Sequence, residues 1–79
     1  MNPMDKKEFI LLKAIFNVSL YDALMSENLK DVEEIFKRDY SYEISENMVS
    51  DYPLNNEDVT KLKNDYIEER KTDDLSWAL

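Results

Sequence analysis

Carboxylates are the one reactive side-chain type this sequence holds in number: eighteen Asp plus Glu in 79 residues, with no His, no Cys and no Gly. Two carboxylates on one face can run general acid–base chemistry or hold a hard cation. Glu33-Glu34, Glu68-Glu69 and Asp73-Asp74 are adjacent in sequence, and adjacent residues on a helix do not face each other. Asp31 with Glu34, and Asp65 with Glu69, have the spacing to share a helical face. Neither pair has a second ligand type or a glycine turn beside it. Without imidazole there is no His general base, no His-activated nucleophile and no His metal ligand. Without cysteine there is no disulfide, zinc or redox motif. Without glycine there is no phosphate-cradling loop. The expectation is a protein with no catalytic residues, no metal and no cofactor, and not an enzyme.

The acids are unevenly spread. The formal charge is −8, and residues 39–58 carry −6 of it in Asp39, Glu43, Glu46, Asp51, Glu57 and Asp58, with no Lys or Arg. The segments 1–38 and 59–79 are each at −1. Tyr40, Tyr42 and Tyr52 are interleaved with the acids, and tyrosine is favoured at interfaces because its ring is rigid and its hydroxyl tolerates water. One reading is a partner-facing patch of Tyr40, Tyr42, Glu43, Glu46, Asp51 and Tyr52. The other is a solvated loop whose tyrosines fill the core. Nucleic-acid mimicry is a sharper form of the first, but duplex DNA carries a charge every ~1.7 Å of axis, denser than six acids in twenty residues. An acidic chain is repelled by phosphate backbones and anionic lipid, so no direct nucleic-acid or membrane contact is expected. Its natural complement is a larger protein with a basic surface.

These residues must be positioned by helices. Four stretches pair a cap-forming residue with an acid three residues on: Asn2-Pro3-Met4-Asp5, Ser19-Leu20-Tyr21-Asp22, Asn28-Leu29-Lys30-Asp31 and Asn55-Asn56-Glu57-Asp58. In each, the cap oxygen can take an orphan backbone N–H and the acid complements the helix dipole. With no glycine, helix ends are expected to use Asn, as Asn17, Asn28 and Asn47 could, or to tolerate another residue.

The first helix is expected from about Pro3 to Asn17. Phe9, Ile10, Leu11, Leu12, Ala14, Ile15, Phe16 and Val18 make it apolar nearly all round. It is either the centre of a small bundle or an interface with a partner. A second helix runs from Leu20 to about Ser26, and a third from Leu29 to Arg38 with Leu29, Val32, Ile35 and Phe36 on one face. The short turn Ser26-Glu27-Asn28 makes these two a hairpin. Over 17 residues this hairpin resembles one ankyrin repeat, with Leu20, Ala23, Leu29, Val32, Ile35 and Phe36 at the apolar positions. It departs in lacking the Thr-Pro start and in placing Glu27 where the turn glycine belongs. The resemblance implies a helix hairpin and no function.

Tyr40, Tyr42 and Ile44 alternate with Ser41 and Glu43, a period of two that reads as extended chain. The segment 39–55 is therefore expected to be irregular: a loop, half of a hairpin with the Met48–Leu54 region, or an edge offered to a partner. Pro53 keeps Tyr52 extended. The last long helix is expected from Asn56 to about Lys71, with Val59, Leu62 and Tyr66 inward and Ile67 the next candidate for that stripe. Residues 72–79 form a tail or short closing helix capped by Thr72 or Asp73, whose Trp77 is either a core plug or a partner anchor.

The whole is one all-α domain of three to four helices with an irregular acidic segment before the last. Neither a signal peptide nor a run of about 18 apolar residues is visible, and the cytoplasm is the expected compartment. In size, acidity and lack of cofactor chemistry the chain resembles phage- or plasmid-encoded inhibitors of host nucleic-acid enzymes, such as anti-CRISPR and anti-restriction proteins; the resemblance is one of style and rests on no motif. The expected function is a non-enzymatic inhibitor that masks a basic surface of a larger protein. The alternative is a structural or regulatory subunit that associates through its apolar first helix, in a homodimer or a larger complex.

Overall fold

A computed structural model describes residues 4–46 and 48–78, with side chains through Arg70. Four helices follow one another: α1 (Lys6–Ala14), α2 (Val18–Met25), α3 (Leu29–Glu46) and α4 (Asn56–Ala78). The fold is all-α, and no described residue lies in a strand.

Helix starts are decided by which side-chain oxygen reaches the first orphan amides. Asn28 does so for α3, accepting from Asp31 N–H at 3.1 Å. Asn55 does so for α4, accepting from Asp58 N–H at 2.8 Å while Asp58 accepts from Asn55 N–H at 2.9 Å, a reciprocal capping box. The other two starts differ from the sequence expectation. Asp5, in extended backbone, caps α1 by accepting from Lys7 N–H at 2.8 Å. Asn2 and Pro3 lie outside the described residues. Asn17 caps α2, accepting from Leu20 N–H at 3.0 Å, and Ser19 falls inside the helix. Asn17 leaves helical geometry to reach that amide, so it also ends the run of α1.

Among the described residues, no asparagine takes the left-handed region at a helix end, and Asn47 lies outside them. After α2, Asn28 N–H donates to Ala23 O and Glu27 N–H to Leu24 O, both at 3.0 Å. This is a Schellman turn, and Glu27 has φ 52°. Glu27 thus does the work of the glycine that the ankyrin-like pattern lacks. After α3, Val49 N–H donates to Ile44 O at 3.0 Å, and Met48 takes φ 52°. A side chain on a left-handed residue meets a carbonyl oxygen, at a cost of about 1–2 kcal/mol each.

The extended reading of residues 40–44 is overturned. Helix α3 continues to Glu46, with a kink where Tyr40 has φ −125° and ψ 18°. The spacing that decides is four rather than two: Val32, Phe36, Tyr40 and Ile44 carry one inward stripe through the kink. The irregular segment therefore shrinks to the connection before α4. There Val49 and Leu54 turn inward, and Ser50 N–H donates to Met4 O at 2.9 Å. Helix α4 runs on past Lys71, so the backbone shows no fresh helix start at Thr72 or Asp73.

The core gathers Phe9, Ile10, Leu20, Leu24, Val32, Phe36, Val59 and Leu62 from all four helices, and α2 packs against the other three. Phe9 stands edge-on to Phe36 at 5.7 Å and to Tyr40 at 5.5 Å, the geometry that sets a ring's positive edge on a negative face. No helix among the described residues is long and apolar enough to cross a membrane.

Candidate interaction surface

Lys6 is fully buried in the first turn of α1. Its ammonium donates to Tyr52 O at 2.7 Å and to Asp51 Oδ1 at 3.0 Å. Glu33 Oε1 from α3 lies 2.7 Å away. That oxygen takes no aligned hydrogen bond from the described residues, so the contact is one of charge. The rings of Phe36 and Tyr52 flank the ammonium at 5.0 and 5.9 Å. A buried ammonium is expensive unless paired and hydrogen-bonded. Here two acceptors take its N–H groups and the Glu33 carboxylate adds a counter-charge, and both acceptors come from the connection between α3 and α4. The lysine thereby fastens that connection to α1.

The arrangement accounts for most of the acidic-aromatic residues. Asp51 is held by Lys6. Tyr52 is half-buried, gives its carbonyl to Lys6 and donates its hydroxyl to Asp5 Oδ1 at 3.0 Å. Burial, then the Asp5 contact, pushes its hydroxyl above the usual tyrosine range. Tyr40 is half-buried against Phe9, and its hydroxyl accepts from Asn17 Nδ2 at 2.8 Å. Glu43 pairs with Lys13 at 2.8 Å, and the Lys13 ammonium sits 5.3 Å from the Phe9 ring and 5.6 Å from that of Tyr40. Tyr42 and Glu46 face solvent, Tyr42 at 74% exposure. Trp77 lies on α4, but its side chain is outside the described residues. Of the seven residues singled out from sequence, four therefore make internal contacts and two point outward.

Several other acids are committed as well. Asp39 is held below the usual carboxylate range by Arg38 and then by Asn17. Asp58 is lowered by the Asn55 amide and then by Lys7, whose ammonium is 3.0 Å away. Glu27 is lowered by the Thr60 hydroxyl and then by Lys63, which ties the α2–α3 turn to α4. Asp22, Asp31 and Glu34 line an open groove of about 420 Å³ between α2 and α3, floored by Ala23 and Ile35. Arg38 stands in the same groove, bound to Asp39 at 2.8 Å. Asp31 and Glu34 do share this face, but no group of three or more ligating side chains converges as a metal site among the described residues.

The surface that sequence reasoning left undivided is the outer side of α1. Leu12 is 48% exposed, Ile15 41%, Phe16 81% and, just past the corner, Val18 76%. Phe9, Ile10 and Ala14 go inward. A helix apolar all round gives no clue to which side is left out. The signal that does bear on it is Asn17: as the cap of α2 it stops the helical run of α1 near Ala14 and leaves Phe16 in the turn. Comparison with known protein families, curated proteins and solved structures found no match to this chain.

Proposed function

We propose that this chain is a non-enzymatic protein-binding subunit that associates through the outer side of α1 and the corner leading into α2. The observation that carries the reading is the exposure of Leu12, Ile15, Phe16 and Val18 together, within seven residues. Scattered exposed apolar side chains are ordinary, whereas a contiguous patch marks an interaction site. A photo-crosslinking residue placed at position 16, in the cell that makes the protein, tests it. A light-dependent adduct at position 16 and none at Lys37, exposed on α3, supports the reading. No adduct at 16, or equal adducts at both positions, overturns it.

A second reading keeps the acidic surface as the site: an inhibitor masking the basic surface of a larger, nucleic-acid-processing protein. The groove lined by Asp22, Asp31 and Glu34, with exposed Tyr42 and Glu46 elsewhere on α3, supports it. Its variants must spare Glu43 and Asp51, whose removal breaks internal ion pairs. This reading expects partner binding to weaken with salt and with Tyr42→Ala plus Glu46→Gln, or with Asp22→Asn plus Asp31→Asn plus Glu34→Gln. A partner bound equally well by both multiple variants at low salt removes it.

A further inference from the structure

We infer that the occupant of the apolar corner is an amphipathic helix of another protein that carries Lys or Arg beside its apolar stripe; the inference rests on the reading that this corner is an interface. The first argument is charge. Glu8 lies one helical turn before Leu12 on the outer side of α1, and Asp22 one turn after Val18 on α2. Both are exposed, and neither has an ion-pair or hydrogen-bond partner among the described residues. The one cation between them in sequence, Lys13, is engaged by Glu43 at 2.8 Å. Each of the two helices that form the corner therefore flanks it with an unanswered carboxylate, in a chain of net charge −8. A partner that sets cations beside its apolar anchors gains at both. A second copy brings the same carboxylates, and an anionic lipid surface brings phosphates; both are repelled.

The second argument is spacing. Glu8, Leu12 and Ile15 follow at intervals of four and three on α1, and Val18 and Asp22 at an interval of four on α2. Side chains so spaced form the ridges against which a further helix packs. An amphipathic helix docks through a few apolar anchors at i, i+3, i+4 and i+7, and Leu12, Ile15, Phe16 and Val18 offer it a few exposed apolar contacts in return. Weighted by exposure, these four present on the order of 400 Å² of apolar surface. That is too little to hold two folded domains together by area alone. The flanking carboxylates therefore have to contribute, and the complex they help to hold is weak and salt-dependent.

Fluorescence anisotropy on the full chain tests this with two labelled peptides of about 18 residues, or about five helical turns. Both have the same amphipathic pattern, one in Leu and Lys, the other in Leu and Glu. The Leu/Lys peptide binds with a dissociation constant on the order of 10–100 µM at physiological salt, and the Leu/Glu peptide does not bind. Binding weakens about tenfold between about 50 and about 500 mM salt. The double variant Phe16→Ser plus Val18→Ser weakens it by about tenfold or more, with unchanged helical circular dichroism and melting temperature. The double variant Glu8→Lys plus Asp22→Lys, whose net charge is still negative, loses the Leu/Lys peptide and gains the Leu/Glu one. Asp31→Asn plus Glu34→Gln, in the α2–α3 groove, leaves binding unchanged. A Leu/Lys peptide that does not bind overturns the inference. So does one whose affinity either corner variant leaves unchanged, or one that the groove variant weakens as much as they do. If the peptide fails at the corner while the position-16 crosslinker yields an adduct, the cationic helix is wrong and the interface reading stands. If no adduct forms either, both fall.

Discussion

Lys6 Nζ donates to the carbonyl oxygen of Tyr52 at 2.7 Å, and Tyr52 donates its hydroxyl back to Asp5, the residue before Lys6. The start of α1 and the connection ahead of α4 are thereby closed into one polar ring across 46 positions of sequence. The ring has an energetic asymmetry. Its lysine is wholly out of water, whereas Glu33 and Asp51 keep 23% and 41% of their side-chain surface.

That asymmetry predicts which end is sensitive. Lys6→Ala removes the shared donor and leaves the Tyr52 carbonyl unpaired and Glu33 Oε1 buried without its counter-charge. It is expected to cost about 3 kcal/mol, the lower end for breaking a buried pair. Asp51→Asn, half in solvent, is expected to cost about 1 kcal/mol. Urea unfolding measures both, and equal losses would contradict the assignment of Lys6 as the hub.

Met48 is exposed and carries φ 52° with no side-chain role in the turn among the described residues. Met48→Gly is expected to stabilise by about 1 kcal/mol, the relief of the left-handed penalty less the added freedom of the unfolded glycine. In a domain of this size that is a rise of about 4–8 °C in melting temperature. Glu27→Gly relieves the same penalty but also removes the contacts to Thr60 and Lys63, so it is expected to gain less. Thermal melts of the two variants give the comparison.

Asp39, Asp58 and Glu27 all have lowered pKa values. Each then binds fewer protons folded than unfolded. Their contribution is present above the unfolded values, near 4, and is lost as pH falls through the lowered folded ones. Tyr52 has the opposite sense: its raised value favours the folded state below about pH 10 and loses that effect as pH rises through the folded value. The melting temperature of Asp58→Asn should therefore fall less steeply than that of the wild type between about pH 5 and pH 3. A parallel fall would show that Lys7 and the Asn55 amide do not hold this carboxylate.

Phe16 and Phe36 are a matched test of inside against outside. Phe36 is fully buried and Phe16 is 81% exposed. Phe36→Ala is expected to cost about 3–5 kcal/mol, and Phe16→Ser less than about 0.5 kcal/mol. A large loss of stability in Phe16→Ser would mean that the corner is part of the monomer's own core.

Much of this protein was determined locally. The absence of glycine, histidine and cysteine leaves this sequence without imidazole, thiol or glycine-loop motifs. The caps at Asn28 and Asn55, the α2–α3 hairpin and the inward faces of α3 and α4 follow from side chains within three or four residues of one another, so a linear reading finds them. What only the tertiary structure decided depends on contacts between distant positions. Tyr40 and Ile44 fit a period of two as well as a period of four, and the choice fell to four because Phe9, thirty-one positions earlier, packs its ring edge-to-face with that of Tyr40. Asp51 and Tyr52 look like surface groups until a lysine 45 and 46 residues away is buried against them. The first helix is apolar on every side, and periodicity cannot rank its sides. Packing chose Phe9, Ile10 and Ala14 for the core, and so left Leu12, Ile15 and Phe16 facing outward.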